Sequence, residues 1–149
     1  MRRIRLTALL LLVACETPTA IPVATSISIS PTTLSFTAIG ETATVVATVK
    51  DQNGVAMGTA RVEWMTTDES VVSISSEGPV SSITVTAVGT GTATIVASSD
   101  AVAVTAGVTV VQEAASVELS SDSLTFLTLG DTTRLTATVR DENGNPIDD

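Results

Sequence analysis

Two stretches of the chain are diverged copies of one another. Ile27–Gly54 reads ISISPTTLSFTAIGETATVVATVKDQNG, and Val117–Gly144 reads VELSSDSLTFLTLGDTTRLTATVRDENG. The pairs Leu34/Leu124, Phe36/Phe126, Gly40/Gly130, Asp51/Asp141 and Gly54/Gly144 are each 90 positions apart, so the chain is built from a unit of that length. The first copy is followed by enough sequence to finish a domain. The second reaches Asp149, the counterpart of Thr59, before any counterpart of Trp64 appears. Its 33 residues from Val117 fall below the roughly 40 at which a domain folds without a disulfide, metal or partner. This segment is therefore expected to be poorly packed, to expose Leu124, Phe126 and Leu135 beside unpaired strand edges, and to belong to a longer repeat protein.

Inside the complete unit the hydrophobic pattern has period two, the spacing at which successive side chains face opposite sides of a sheet. Ile27 and Ile29 alternate with Ser28 and Ser30; Leu34 and Phe36 follow Pro31, and Gly40 closes a turn. The clearest strand places Ala43, Val45, Ala47 and Val49 on one face and Thr42, Thr44, Thr48 and Lys50 on the other, with Val46 as the outlier. In the second copy the same inward positions are Thr133, Leu135, Ala137 and Val139, while Arg134 and Arg140 fall outside. Asp51–Gly54 is a turn, because Asn and Gly tolerate positive φ and Asp can bond its own backbone. Val62 and Trp64 then alternate with Arg61, Glu63 and Met65, which puts the sole Trp on the buried face of a strand, at the expected centre of the core. Val72 and Ile74, then Ile83, Val85 and Ala87, then Ala93, Ile95 and Ala97, then Val102, Val104, Val108 and Val110 mark further strands. About seven short strands with regularly spaced turns read as an all-β, two-sheet sandwich with Greek-key connections, followed by an incomplete second copy.

Composition narrows the chemistry. Aromatics make up 2% of the 149 residues, and the apolar set is mostly Val, Ile and Ala, whose β-branched members favour pleated strands. From Cys15 onward there are 4 basic and 16 acidic residues, a net of −12, which repels nucleic acid. There is no His and one Cys, which removes the usual general base, the usual neutral-pH metal ligand and any intrachain disulfide. Serines are plentiful, but with Lys50 as the only lysine none has an activating partner. The adjacent carboxylates Asp68 and Glu69 point apart in a loop, whereas glycosidase acids face one another. Gly89-Thr90-Gly91 lacks the third Gly and the Lys of a nucleotide loop and reads as a hairpin turn. Asp51–Gly54 and Asp141–Asn145 offer oxygens at alternate positions, as calcium loops do, yet Pro146 stands where an EF-hand needs Gly. A solvated turn is the better explanation, with a calcium role as the alternative. No enzyme activity and no cofactor are expected.

The amino terminus reads as an address. Met1–Arg5 is basic, and Leu6–Ala14 is an apolar run far shorter than the roughly 20 residues that span a bilayer, so it reads as a secretion signal. It ends in Leu12-Val13-Ala14-Cys15, which resembles the lipobox of bacterial lipoprotein precursors. The resemblance implies cleavage before Cys15, with Cys15 carrying a diacylglycerol and usually a third acyl chain. At roughly 0.8 kcal/mol per buried CH₂, two or three chains hold a protein on a membrane where one would not. Glu16, where inner-membrane lipoproteins typically have Asp, implies the outer membrane. Residues 1–14 are thus the expected signal peptide. Residues 15–25, with Pro18 and Pro22 and no alternation, are the expected tether.

Five pieces in order, ISISPTTLSF, the Gly40 turn, VVATVKDQNG, VEWMTTDESVVSIS with Trp64, and ITVTAVGTGTATIVAS, resemble the group 2 bacterial immunoglobulin-like domains, BIG2. The resemblance covers residues 26–112 as a complete sandwich and resumes over 116–149 as a truncated repeat. It implies an immunoglobulin-like sandwich without the inter-sheet disulfide, used in tandem on bacterial surface proteins and as accessory modules of extracellular enzymes, with no catalytic residue and a packing role for Trp64. The expected function is a non-catalytic, lipid-anchored surface stalk or adhesion module, held to the membrane through Cys15, whose ligand is a surface protein or glycan. The alternative is an accessory, carbohydrate-binding module of a secreted hydrolase. The aromatics Phe36, Trp64 and Phe126 all occupy inward positions of the repeat, which lowers the sugar-binding alternative without excluding it.

Overall fold

The computed structural model describes residues 21–75 and 81–148, so the expected signal peptide, residues 1–14, and Cys15 lie outside the described residues. The described residues contain strands and no helix. In order they are β1 (Ala24–Ser30), β2 (Thr33–Phe36), β3 (Thr42–Asp51), β4 (Glu63–Thr66), β5 (Val72–Ser75), β6 (Ser82–Ala87), β7 (Gly91–Ser99), β8 (Val102–Val110), β9 (Ser116–Leu119) and β10 (Ala137–Arg140).

The first eight strands form two four-stranded sheets, ordered β1-β3-β6-β5 and β2-β8-β7-β4. All pairings are antiparallel except β2 with β8. If β1 and β2 are taken as one interrupted first strand, this is the A-B-E-D and C-F-G arrangement of an immunoglobulin sandwich. The interruption falls at Pro31, which has no N–H to give a ladder, and it hands the chain from one sheet to the other. β1 starts at Ala24, inside the stretch expected as a tether, where Val23 N–H also donates to Gln52 Oε1 (2.8 Å).

Alternation fixes which face is inside. In β3, Val45, Ala47 and Val49 are buried while Thr42, Thr44, Val46, Thr48 and Lys50 are exposed. Ile83, Val85 and Ala87 of β6 and Ala93, Ile95 and Ala97 of β7 supply the opposing layers. The largest fully buried hydrophobic side chains are Ile95, Val45, Val72, Val85 and Val110. Trp64, expected at the centre, is instead half-buried and packs against this cluster from β4. Among the described residues β4 is a four-residue edge strand paired with β7 alone. Inner faces made of Val, Ala and Ile at native density leave no indole-sized space between them, so the ring sits at the rim.

The Gly89–Gly91 segment also differs from expectation. It does not close a hairpin, because β6 and β7 belong to different sheets; it carries the chain across the sandwich. A Cβ at Gly89 would lie 2.5 Å from the Ser70 carbonyl oxygen, and Val88 and Gly89 N–H both donate to Val71 O. Glycine is required there for backbone contact.

The second copy reproduces only part of this. β9 and β10 pair in the register of β1 and β3: Ala137 opposes Leu119 as Ala47 opposes Ile29, and Val139 opposes Val117 as Val49 opposes Ile27. Arg140 forms an outer-face ion pair with Glu118 (2.9 Å). No strand faces this ribbon among the described residues, and Leu124, Phe126, Leu127, Leu129 and Leu135 are exposed.

Candidate functional site: the joint between the two copies

The densest polar constellation among the described residues lies where the second copy meets the first. β3 and β10 both run into an Asp-x-Asn-Gly turn, and the two turns share one backbone. Asp51 N–H donates to Val55 O and Gly54 N–H to Asp51 O; Asp141 N–H donates to Asn145 O and Gly144 N–H to Asp141 O, all at 2.9–3.0 Å. In each, the Asp Oδ1 accepts two amides further along the turn: Asn53 and Val55 N–H (2.8 and 2.9 Å), or Asn143 and Asn145 N–H (3.1 and 2.8 Å). Gly54 and Gly144 hold positive φ, 75° and 81°, which is why glycine closes both turns.

The first turn bonds only its own copy's amino-terminal segment among the described residues, whereas the second grips the other copy. The second oxygen of Asp141 accepts Ile39 N–H (2.9 Å), from the loop between β2 and β3, and the Gln112 side-chain amide (3.0 Å), from the linker between the copies. In return, the side-chain amides of Asn143 and Asn145 both donate to the Ile39 carbonyl (2.9 Å each). Gln112 also reaches Pro146 O (3.3 Å). Asp141 is thereby 2% exposed, a buried charge with donors on both oxygens. Burial works to raise its pKa. Hydrogen bonds from Gln112, Ile39 and Asn145 outweigh that and bring it down from 3.8 to about 2.

This geometry bears on the calcium-loop alternative. Both Asp141 oxygens and one of Asp51 accept N–H donors, so the turns spend their carboxylates on closing the backbone and, in the second copy, on gripping the loop. Among the described residues no group of three or more His, Cys, Asp or Glu side chains could hold a metal ion. Asp68 is likewise taken up locally: its Oδ1 accepts the Ser70 hydroxyl (2.6 Å) and N–H (2.9 Å), which lower its pKa. Among the described residues, a cleft of about 260 Å³ between β3 and residues 56–62 has no titratable side chain, one of about 380 Å³ beside β5 has Glu69 alone, and one of about 260 Å³ beside β4 gathers Arg61, Glu63 and Asp100.

Of the residues singled out in the sequence, Cys15 lies outside the described residues, and Trp64 lies in β4, remote in sequence from the joint. Phe36 is buried, whereas Phe126 is 53% exposed because its copy has no facing sheet. Sequence reading missed Gln112 and the contact of Asn145 with the Ile39 loop, naming Asn145 only as part of its turn and the loop only by Gly40. The available signal was a difference between the copies: Asn145 stands where the first copy has Val55, and Gln112 stands 90 positions after Pro22.

No family model matches the chain, and no curated protein matches it. Solved structures do. Domains 4 and 5 of the S-layer protein SbsC share 31% identity over 62% of this chain and 55% of theirs, with a TM-score of 0.57. Domains 1–6 of the same surface-layer protein share 28% identity over 88% of this chain and 18% of theirs, at 0.58. Domains 5–6 share 26% identity over 85% and 66%, at 0.56. The chain thus spans about half of the first of these and a fifth of the second. The comparisons define the same class that the topology does, an immunoglobulin-like sandwich of the kind found in tandem on a surface-layer protein.

Proposed function

We propose that the protein is a non-catalytic cell-surface lipoprotein whose tandem immunoglobulin-like modules, of the BIG2 kind, act as a stalk or adhesion module. Residues 1–14 serve as the signal peptide, Cys15 carries the lipid at the head of a short tether, 26–112 form the complete module and 116–149 the front portion of the next. The partners in this reading are the outer membrane, through the acyl chains on Cys15, and a surface protein or glycan. The observation that supports it best is the joint: a module whose buried carboxylate and side-chain amides are spent on fixing its neighbour is built for reach. A strand of ten residues such as β3 extends about 34 Å, so each module adds a few nanometres. The likeness to surface-layer modules agrees with this use.

The test is expression in a two-membrane bacterium of the intact gene and of Cys15→Ser. The intact protein should take up labelled palmitate, fractionate with the outer membrane and be cut by protease added to whole cells. Cys15→Ser should lose the label and leave the membrane fraction. Palmitate-free protein that still sediments with membranes sinks the lipid anchor. Labelled protein that resists protease on whole cells sinks surface display and leaves a scaffold within the envelope.

A further inference from the structure

The joint has two halves, a turn and a loop, and the chain carries each of them twice. The loop of the first copy, Thr37–Glu41, is shaped by the Glu41 carboxylate, which accepts Thr37 and Ala38 N–H (2.7 and 3.4 Å), and by Gly40 at φ 87°. The loop of the second copy repeats these internal bonds, without the ties to Ala87 of β6 that the first loop also has. Asp131 accepts Leu127 and Thr128 N–H (3.1 and 2.9 Å), Asp131 N–H donates to Thr128 O as Glu41 N–H does to Ala38 O, and Gly130 has φ 93°. Leu129 therefore presents its backbone as Ile39 does. Ile39 is half-buried beneath the Asp141 turn, but Leu129 is fully exposed, at 105%.

We propose that the Leu127–Asp131 loop is the acceptor surface for a further module carrying an Asp-x-Asn-Gly-Asn turn, seated on Leu129 as Asp141–Asn145 is seated on Ile39. Its occupant would place a carboxylate on Leu129 N–H and two side-chain amides on Leu129 O. The Asp51 turn of another copy of this chain is a poorer fit. It has the backbone, but Val55 replaces the Asn that grips the loop carbonyl, and Pro22 replaces the linker Gln. A joint of this kind is heterologous, turn to loop, and so propagates in a line and does not close a pair. The inference deepens the stalk reading by supplying the means of lengthening it. It stands or falls separately, because its test reads one contact in solution and neither lipid nor cell surface.

The full chain, ¹⁵N-labelled, is titrated to millimolar concentration with a synthetic peptide of the Val139–Ile147 sequence, VRDENGNPI. Saturable amide shifts are expected at Thr128 and Leu129, none at Ile39, and none with a peptide in which Ala replaces the Asp. In the Asp141→Ala/Asn145→Ala chain, whose own turn no longer holds Ile39, the same peptide should shift Ile39 as well. Absence of a shift at Leu129 overturns the proposal, whether or not Ile39 responds in the variant. An equal shift with the Ala peptide overturns it too, since the carboxylate would then not be recognised.

Discussion

Asp141 shows how a residue's role can be set by something its own neighbourhood in sequence does not contain. Its turn is legible: Asp, Asn and Gly at those spacings dictate the backbone, and the structure has it. Its burial is not, because the covering group is Ile39, 102 residues earlier. The pH dependence follows from the same contacts. The folded pKa of about 2 lies below the unfolded 3.8, so the contribution of this carboxylate to the joint is complete above pH 3.8 and is lost as pH falls through about 2. The Ile39 amide shift should stay flat from neutral pH down and then move steeply below pH 3.8. Asp141→Asn should abolish that step. Asp51, Asp68 and Asp131 are also held low by N–H and hydroxyl donors, so whole-protein acid unfolding is a blunter probe than Ile39. Gly89 makes a second residue-scale case. Its Cβ position lies 2.5 Å from a backbone oxygen that cannot swing aside, so Gly89→Ala should cost about 1–3 kcal/mol of stability, read as a lowered urea midpoint. Ile95, fully buried, should cost about 2–5 kcal/mol on truncation to Ala.

At the scale of elements, alternation identified nearly every strand of the first copy, since a half-buried strand writes its inside face into every second residue. What alternation does not carry is which strand lies beside which. β3 shows the consequence. Its first half, Thr42–Val46, pairs with β6, and its second half with β1. The equivalent sequence in the second copy is as good a strand former, yet only Ala137–Arg140 forms a ladder, opposite β9. The preceding residues have no counterpart of β6 to pair with. The stretch aligned with β2 is likewise not a strand, since β2 depends on β8. Strand identity is therefore a property of partners as much as of pattern. Proline at matched positions should separate the two. Thr44→Pro breaks a ladder opposite Thr84 in an interior strand and should abolish the cooperative melt. Arg134→Pro, 90 positions on, should leave the melting temperature of the first module unchanged.

At the scale of the whole molecule, the repeat announced tandem construction, and the fold shows that the second copy is held by its front turn while its apolar face stays open. Leu124, Phe126 and Leu135 line that face at positions whose counterparts Leu34, Phe36 and Val45 are buried. Among the described residues, the set β4 to β8, contained in residues 60–111, has a place in the first copy and no counterpart in the second. Asp149 aligns with Thr59, so a chain of residues 1–149 followed by 60–111 restores the missing strands at the natural spacing. Each Leu or Phe side chain taken fully from water contributes about 1.5–3 kcal/mol, and the added strands supply partners for residues 132–136 and 123–126. The extended chain should lose the dye-binding hydrophobic surface of the original and show a second cooperative melting transition. Arg134→Pro, silent in the original, should then abolish that second transition alone. If the dye still binds and Arg134→Pro remains silent, the two copies do not share one packing scheme, and their 90-residue spacing would reflect ancestry without a common fold.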